Sequence, residues 1–130
     1  MKAITITIGG KTLYLTYTGE AMFGLREKYG EPTEMLEKMS GDTKESFDIT
    51  CDVIATLAEQ GELVRRYYGH TPQDIVSFET IKLLTQPKDI FTFKLIIPRV
   101  VTLGFSKEII GDNDDEVDLG LLELNQKKTI

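Results

Sequence analysis

The chain has 130 residues, and its 15 basic and 21 acidic side chains give a net charge of −6. Hydrophobic residues make up 41% of the sequence and charged residues 28%, a composition typical of a soluble globular protein with one core. No apolar run approaches the ~20 residues that span a bilayer, and residues 1–12 lack the apolar segment of a secretory signal. The sequence therefore predicts a cytoplasmic protein that has no membrane partner.

The negative charge is concentrated at the end of the chain. Residues 107–130 contain three basic and seven acidic side chains, so they hold four of the six net negative charges. An acidic tail on a nearly neutral body repels phosphate backbones, which argues against nucleic acid as a partner. We predict a single domain over residues 1–106 and a flexible, disordered acidic tail over residues 107–130.

The first predicted element is a β-hairpin around Gly9 and Gly10. Isoleucine or leucine alternates with threonine or tyrosine on both sides of these glycines, which suit a two-residue turn. The turn predicts four cross-strand pairs: Ile4 with Leu15, Thr5 with Tyr14, Ile6 with Leu13 and Thr7 with Thr12. One face of the hairpin is thus apolar and must cover another element. A free hairpin edge would permit pairing with a second copy, so the sequence leaves a homo-oligomer open.

The chain beyond the hairpin is predicted to be mainly helical. Capping residues, prolines and glycines set the following limits: Thr18 to Tyr29, Pro32 to Met39, Thr43 to Gly61, residues 62–69, and two further starts at Thr71-Pro72 and Gln86-Pro87. Pro98 leaves the last segment either a kinked helix or partly extended. We predict an α+β fold in which the N-terminal hairpin packs on a bundle of about four to five helices, with the acidic tail following.

Few residues suit catalysis or metal binding. Cys51 falls among apolar positions of the longest helix, where a buried, unreactive thiol is typical. His70, the single histidine, is predicted to lie in an exposed loop, and Asp48 and Asp52 on a solvated helix face. The acidic tail has part of the spacing of a calcium loop, but Val117 stands where that loop requires glycine. The sequence therefore predicts no catalytic residue, no cofactor and no metal site, and a protein that is not an enzyme.

Large apolar side chains off the predicted core faces are the candidate contacts with a protein partner. These are Phe23, Tyr67, Tyr68, Leu119, Leu121, Leu122 and Leu124. For each of them local packing is the alternative interpretation. Arg65 and Arg66 precede the two tyrosines, and arginine beside aromatic rings stacks on nucleic-acid bases. A small DNA-binding regulator therefore stays an alternative.

Four segments carry a further indication. Residues 12–17 lead as a strand into TGEAMFGLREKYGEP (residues 18–32), a helix that ends in the pattern Leu25, Tyr29, Gly30. Then follow FDITCDVIATLAEQG (47–61), RRYYGHTPQDI (65–75) and the acidic EVDLGLLELNQKK (116–128). This layout resembles the tail assembly chaperones encoded by long-tailed bacteriophages and prophages of Gram-positive bacteria.

The resemblance implies a protein that binds the tape-measure protein, and by extension tail-tube subunits, in the host bacterial cytoplasm during tail assembly. Tape-measure proteins are long helices with exposed apolar stripes, which a small helical domain covers reversibly. The resemblance also implies a longer form of the protein made by ribosomal frameshifting. The coding sequence would show such a frameshift site, whereas the amino-acid sequence does not. A structural tail completion or connector protein of the virion is the alternative in the same setting.

Overall fold

The computed structural model describes residues 1–106 and 115–120 of the chain. In these ranges a β-hairpin, extended by a short third strand, packs on five helices, which confirms the predicted α+β fold. The elements are β1 (Lys2–Ile8), β2 (Lys11–Leu15), α1 (Gly19–Tyr29), α2 (Pro32–Met39), α3 (Lys44–Tyr67), α4 (Phe78–Leu84), α5 (Pro87–Phe105) and β3 (Glu116–Asp118). None of the helices described is both long and apolar enough to cross a membrane.

The hairpin has the predicted register. All four predicted pairs are present between β1 and β2, and Gly9 and Gly10 both have positive φ values, 55° and 79°. Positive φ at both turn positions matches the right-handed twist of the flanking strands, and glycine adopts it without steric cost. The apolar face of the hairpin is buried against the helices, where its side chains meet Leu57 of α3 and Phe93 of α5 within one hydrophobic core.

The outer edge of β2 lies against α3. The Thr16 N–H donates a hydrogen bond of 3.2 Å to the Leu57 carbonyl. At Gly61 an added Cβ would lie only 1.6 Å from the Tyr14 carbonyl oxygen. Glycine at this position is therefore required for helix and strand to touch. The prediction that Gly61 ends the helix, with a separate helical piece over residues 62–69, is wrong, because α3 continues without a break to Tyr67.

Residues 70–77 contain no helix, so the start predicted at Thr71-Pro72 is wrong. The helix α4 begins six residues later, where the Ser77 hydroxyl accepts a hydrogen bond from the Thr80 N–H. The Gln73 carbonyl, which a helix beginning at Pro72 would pair with a backbone N–H of the next turn, instead accepts from Arg66 at 2.7 Å. The Gln73 N–H donates to Glu62 at 2.7 Å. These two side chains of α3 bind the segment in a non-helical form.

The predicted helix start at Gln86-Pro87 is confirmed. The Gln86 side chain accepts from the backbone at Asp89, and the Asp89 carboxylate accepts from the Gln86 N–H, so a capping box opens α5. The helix continues through Pro98 to Phe105, and no part of it is extended. Proline is tolerated here because neighbouring turns keep their hydrogen bonds and the inner face of the helix is anchored in the core.

A segment of the predicted tail belongs to the folded body. Residues 115–120 lie beside β1, where β3 pairs antiparallel with Lys2, Ala3 and Ile4. The prediction that residues 107–130 are disordered throughout is therefore wrong for this segment. Its conformation is set by backbone pairing with β1, a partner that the sequence pattern of the segment does not reveal. Residues 107–114 and 121–130 lie outside the described part. The sequence suggested a hairpin with a free edge. In the structure α3 lies against the edge of β2, and β3 covers part of the edge of β1.

Candidate protein-binding surface

Asp48 and Asp52, one turn apart on α3, each form contacts that link α3 to another helix. Asp48 forms ion pairs with Lys44 of its own helix and Lys82 of α4, with N–O distances of 2.5 and 3.1 Å. Hydrogen bonds from these two lysines lower the pKa of Asp48. Asp52 accepts hydrogen bonds from Lys28 and from the Tyr29 hydroxyl of α1. Each carboxylate thus has cationic or hydroxyl partners from another helix, an arrangement that serves packing.

The surroundings of Tyr29 make its hydroxyl less acidic. Burial, followed by its hydrogen bond to the Asp52 carboxylate, raises the pKa of the Tyr29 hydroxyl well above its ordinary value. The protonated hydroxyl donates to Asp52 and so links α1 to α3.

Cys51 and His70 are both enclosed. The predicted burial of Cys51 is confirmed, and burial raises the pKa of its thiol to about 11, which disfavours the reactive thiolate. The prediction of an exposed His70 is wrong, because only 7% of this residue is accessible. Its Nε2 lies 2.8 Å from the Leu119 carbonyl oxygen, which accepts the hydrogen bond. The histidine ring thus binds the backbone at Leu119.

Metal ligands do not converge in the part of the chain that the structure describes. No group of three or more histidine, cysteine, aspartate or glutamate side chains there has the geometry to hold an ion. Several acidic residues instead pair with arginine, lysine or the N-terminus, as Glu62 does with Arg65 at 2.6 Å. The surface that stands out is apolar.

Three large apolar side chains project into solvent from one side of α5. Phe91, Leu95 and Phe105 are 71%, 74% and 62% exposed, and their spacing of 4 and 10 residues returns them to the same side of an α-helix. We call these three residues the α5 exposed face. The opposite side of the helix carries Phe93 and Ile97, which are fully buried. α5 is therefore apolar on two opposite sides, whereas a helix that packs on one core needs only one apolar side.

A groove adjoins the start of this face. It has a volume of about 210 Å³ and lies between α5 and the loop that precedes α3. Its lining residues are Gly41, Asp42, Thr43, Phe47, Pro87, Ile90, Phe91 and Lys94. A hydrogen bond of 3.0 Å from the Lys94 ammonium to the Gly41 carbonyl bridges its two walls. Since Phe91 belongs both to the groove and to the α5 exposed face, the groove adjoins that face at Phe91.

Two lysines of α5, Lys88 and Lys94, lie along this surface, while Asp42 lies at the groove. The third cation of α5, Arg99, is paired with Asp115 and Glu116, and the single acidic residue of the helix, Asp89, is engaged in its capping box. The chain as a whole has a net charge of −6. A basic helix on an acidic protein favours a partner whose apolar side chains are flanked by carboxylates.

The contact residues predicted from sequence lie elsewhere. Phe23 is 58% exposed on α1 with the Arg26 guanidinium 5.3 Å from its ring, and Tyr67 is 83% exposed at the end of α3. Tyr68 is half-buried, and its ring meets that of Tyr67 edge-on at 5.2 Å. Leu119 is fully buried, so it has no surface to offer a partner while its segment stays in place. Leu121, Leu122 and Leu124 lie outside the described residues.

The α5 exposed face was not predicted from the sequence, although a signal was present. Phe91 and Leu95 stand at helical spacing beside a second apolar set that includes Phe93 and Ile97, and such a doubly apolar helix indicates two contact surfaces.

No protein-family model, curated protein or solved structure matches the chain. Its function must therefore be inferred from its own residues.

Proposed function

We propose that this chain is a phage tail assembly chaperone that binds the tape-measure protein through the α5 exposed face. The observation that carries the proposal is the pair Phe91 and Leu95, which are 71% and 74% exposed one turn apart on a helix anchored in the core. Large apolar groups in water mark a binding surface when they are contiguous. The resemblance of the chain to tail assembly chaperones supplies the identity of the partner.

The geometry of the surface suits a helical partner. An amphipathic helix places apolar residues at intervals of three and four, and such a row packs along the α5 exposed face with one side chain inserted in the groove beside Phe91. Each large side chain withdrawn from water on both partners contributes roughly 1.5–3 kcal/mol before the entropy of association is subtracted. A few such contacts yield reversible binding, as a factor that acts only during assembly needs.

Binding without catalysis is part of the proposal. Tail-tube subunits are proposed as a second partner, and the host bacterial cytoplasm as the place of action. Phe23, Tyr67, Tyr68, Leu121, Leu122 and Leu124 are kept as proposed additional contacts. Leu119 is removed from that set because its side chain is enclosed.

The basic cluster before the tyrosines weighs against a DNA-binding regulator. Arg65 is 7% accessible and pairs with Glu62, while Arg66 donates to Glu62 and to the Gln73 carbonyl. Arg65 is therefore enclosed, and Arg66, although exposed, has donors engaged by Glu62 and Gln73, which leaves fewer of them for phosphates. The α5 exposed face, in contrast, has its apolar groups free for a protein.

The test is co-purification with helical segments of the tape-measure protein of the same phage. In the variant Phe91→Ser/Leu95→Ser we expect binding to weaken at least tenfold, because each change removes an apolar contact. Leu83→Ser is the matched control, since Leu83 is 81% exposed on α4 and lies off the face. Full binding by the double variant, with an unchanged circular dichroism spectrum, would refute the role of this face.

A second measurement separates a chaperone from a virion component. Quantitative mass spectrometry of purified particles should find the chain far below one copy per tail subunit ring, since a chaperone leaves after assembly. Stoichiometric amounts in mature particles would favour the alternative of a tail completion or connector protein.

A further inference from the structure

The outer edge of β1 is occupied by a short stretch of the same chain. Beyond the three paired residues of β3, the Thr5 N–H donates to the Asp115 carbonyl at 2.7 Å and the Leu119 N–H donates to the Met1 carbonyl at 2.9 Å. Among the described residues, β3 pairs with three of the seven residues of β1. Backbone pairing along a strand edge is independent of side-chain identity, so the edge accepts any strand whose side chains suit their surroundings.

Charge complementarity orients the occupying segment. The Arg99 guanidinium donates to both carboxylate oxygens of Asp115 at 2.9 and 3.0 Å and to Glu116 at 3.0 Å. At the other end of the segment, the N-terminal amine of the chain lies 3.6 Å from the Asp118 carboxylate. A bidentate pair between guanidinium and carboxylate is both strong and geometrically specific. The body thus presents cations at the positions where the strand carries acids.

A leucine anchors the segment. Leu119 is fully buried although it does not belong to the main cluster of buried apolar residues, and we call the enclosure around its side chain the leucine pocket. The buried ring of His70 bonds its carbonyl at 2.8 Å. Next to Arg99, a groove of about 280 Å³ lined by Pro98, Thr102, Leu103 and Glu116 opens beside the strand. The site therefore has a pocket, a cationic clamp and spare volume.

We propose that the outer edge of β1, with Arg99, His70 and the leucine pocket, is a binding site for an extended peptide of another protein. The peptide has two adjacent acidic residues followed three positions later by leucine, the pattern of Asp115, Glu116 and Leu119. Residues 115–120 occupy the site in cis and compete with the partner peptide. The site shares no residue with the α5 exposed face and does not depend on the function proposed above.

The test uses the full chain and a fluorescein-labelled peptide DEVDLG, the sequence of residues 115–120. In Leu119→Asp a charge expels the chain's own segment, so fluorescence anisotropy should show a peptide Kd at least tenfold lower than for the unmodified chain. The unmodified chain binds weakly because a tethered competitor has an effective concentration near the millimolar range. Adding Arg99→Glu to Leu119→Asp should weaken peptide binding at least tenfold, whereas adding the matched reversal Lys88→Glu should leave it unchanged.

A second variant covers the case in which Leu119→Asp fails to fold. Asp115→Asn/Glu116→Gln removes the ion pairs with Arg99 and places no charge in the pocket, and it should bind the peptide at least fivefold more tightly than the unmodified chain. A folded variant that binds the peptide no better than the unmodified chain would overturn the proposal. So would equal binding of a peptide in which leucine is replaced by aspartate.

The occupant could instead come from a second copy of this chain. In that case light scattering of the unmodified protein would show a dimer that Arg99→Glu dissociates, and the assignment to a foreign peptide would be overturned. A monomer over the same concentration range, together with peptide binding to Leu119→Asp, supports the site as stated.

Discussion

Single residues decide where the elements of this protein touch, and Gly61 is the clearest case. It lies inside α3 with the Tyr14 carbonyl so close that a side chain of any kind would collide with backbone. Backbone yields less readily than the end of a flexible side chain. Glycine weakens a helix by about 1 kcal/mol relative to alanine, so its presence in the middle of α3 is explained by this contact and not by helix propensity.

We expect Gly61→Ala to destabilise the protein by about 3 kcal/mol, because helix and strand must separate to admit the methyl group. Gly24→Ala is the matched control. Gly24 lies inside α1 with nothing within 4 Å of an added Cβ, so this change should stabilise by up to about 1 kcal/mol. Urea unfolding measures both. Equal effects of the two substitutions would contradict the close contact.

At the scale of elements, capping residues set the helix limits where no tertiary contact competes. Thr18 and Thr43 accept hydrogen bonds from the N–H groups of Ala21 and Ser46, as helix-initiating threonines do. The start predicted at Pro72 had equally good local signals. In the structure the Gln73 carbonyl, which that helix would pair with a backbone N–H of its next turn, accepts instead from Arg66 of α3.

The position of α4 gives a discriminating pair of substitutions. Ser77→Ala removes the hydroxyl that accepts from Thr80 and should cost about 1 kcal/mol of stability. Thr71→Ala, at the residue that the sequence predicts to be the cap, should cost a few tenths of a kcal/mol at most, since the hydrogen bond that Thr71 makes to the described residues goes through its backbone carbonyl. Thermal unfolding distinguishes the two. A larger loss from Thr71→Ala would place the helix start at Pro72 after all.

For the molecule as a whole, ionised carboxylates link helices to the chain segments that pack against them. Burial by itself would raise the pKa of Glu62, but hydrogen bonds from the Gln73 N–H and from Arg65 and Arg66 outweigh it and lower that pKa. A hydrogen bond from Arg99 likewise lowers the pKa of Asp115. A carboxylate with a lowered pKa stabilises the fold fully above its ordinary value and loses that contribution as the pH falls through the folded value.

We therefore expect the free energy of unfolding to be constant near neutral pH and to decline below about pH 4.5, the ordinary pKa of glutamate. Glu62→Gln should lower it by about 2 kcal/mol at pH 7, because the buried Arg65 loses its counter-charge. The variant should also lose less stability on acidification. Glu59→Gln, at an exposed position of α3, is the control. Parallel pH profiles for Glu62→Gln and the unmodified chain would contradict this assignment.

The sequence by itself determined the features that depend on neighbours along the chain. The hairpin register follows from Gly9-Gly10 and strict alternation, and the starts of α1, α3 and α5 follow from their capping residues. Each of these is a choice between local hydrogen bonds, and a local pattern is enough to describe it. The buried Cys51 was also within reach, because helical spacing places it among core residues.

Only the tertiary structure decided which apolar and charged groups remain available to partners. Leu119 and His70 were expected at the surface, yet they meet in the interior across 49 positions of sequence, while Phe91 and Leu95 resemble core residues and face water. Burial is a property of how whole elements stack, and periodicity cannot say which of two apolar faces of α5 the core takes. For the same reason, the ordering of residues 115–120 by Arg99 and the edge of β1 was decided by contacts between distant parts of the chain.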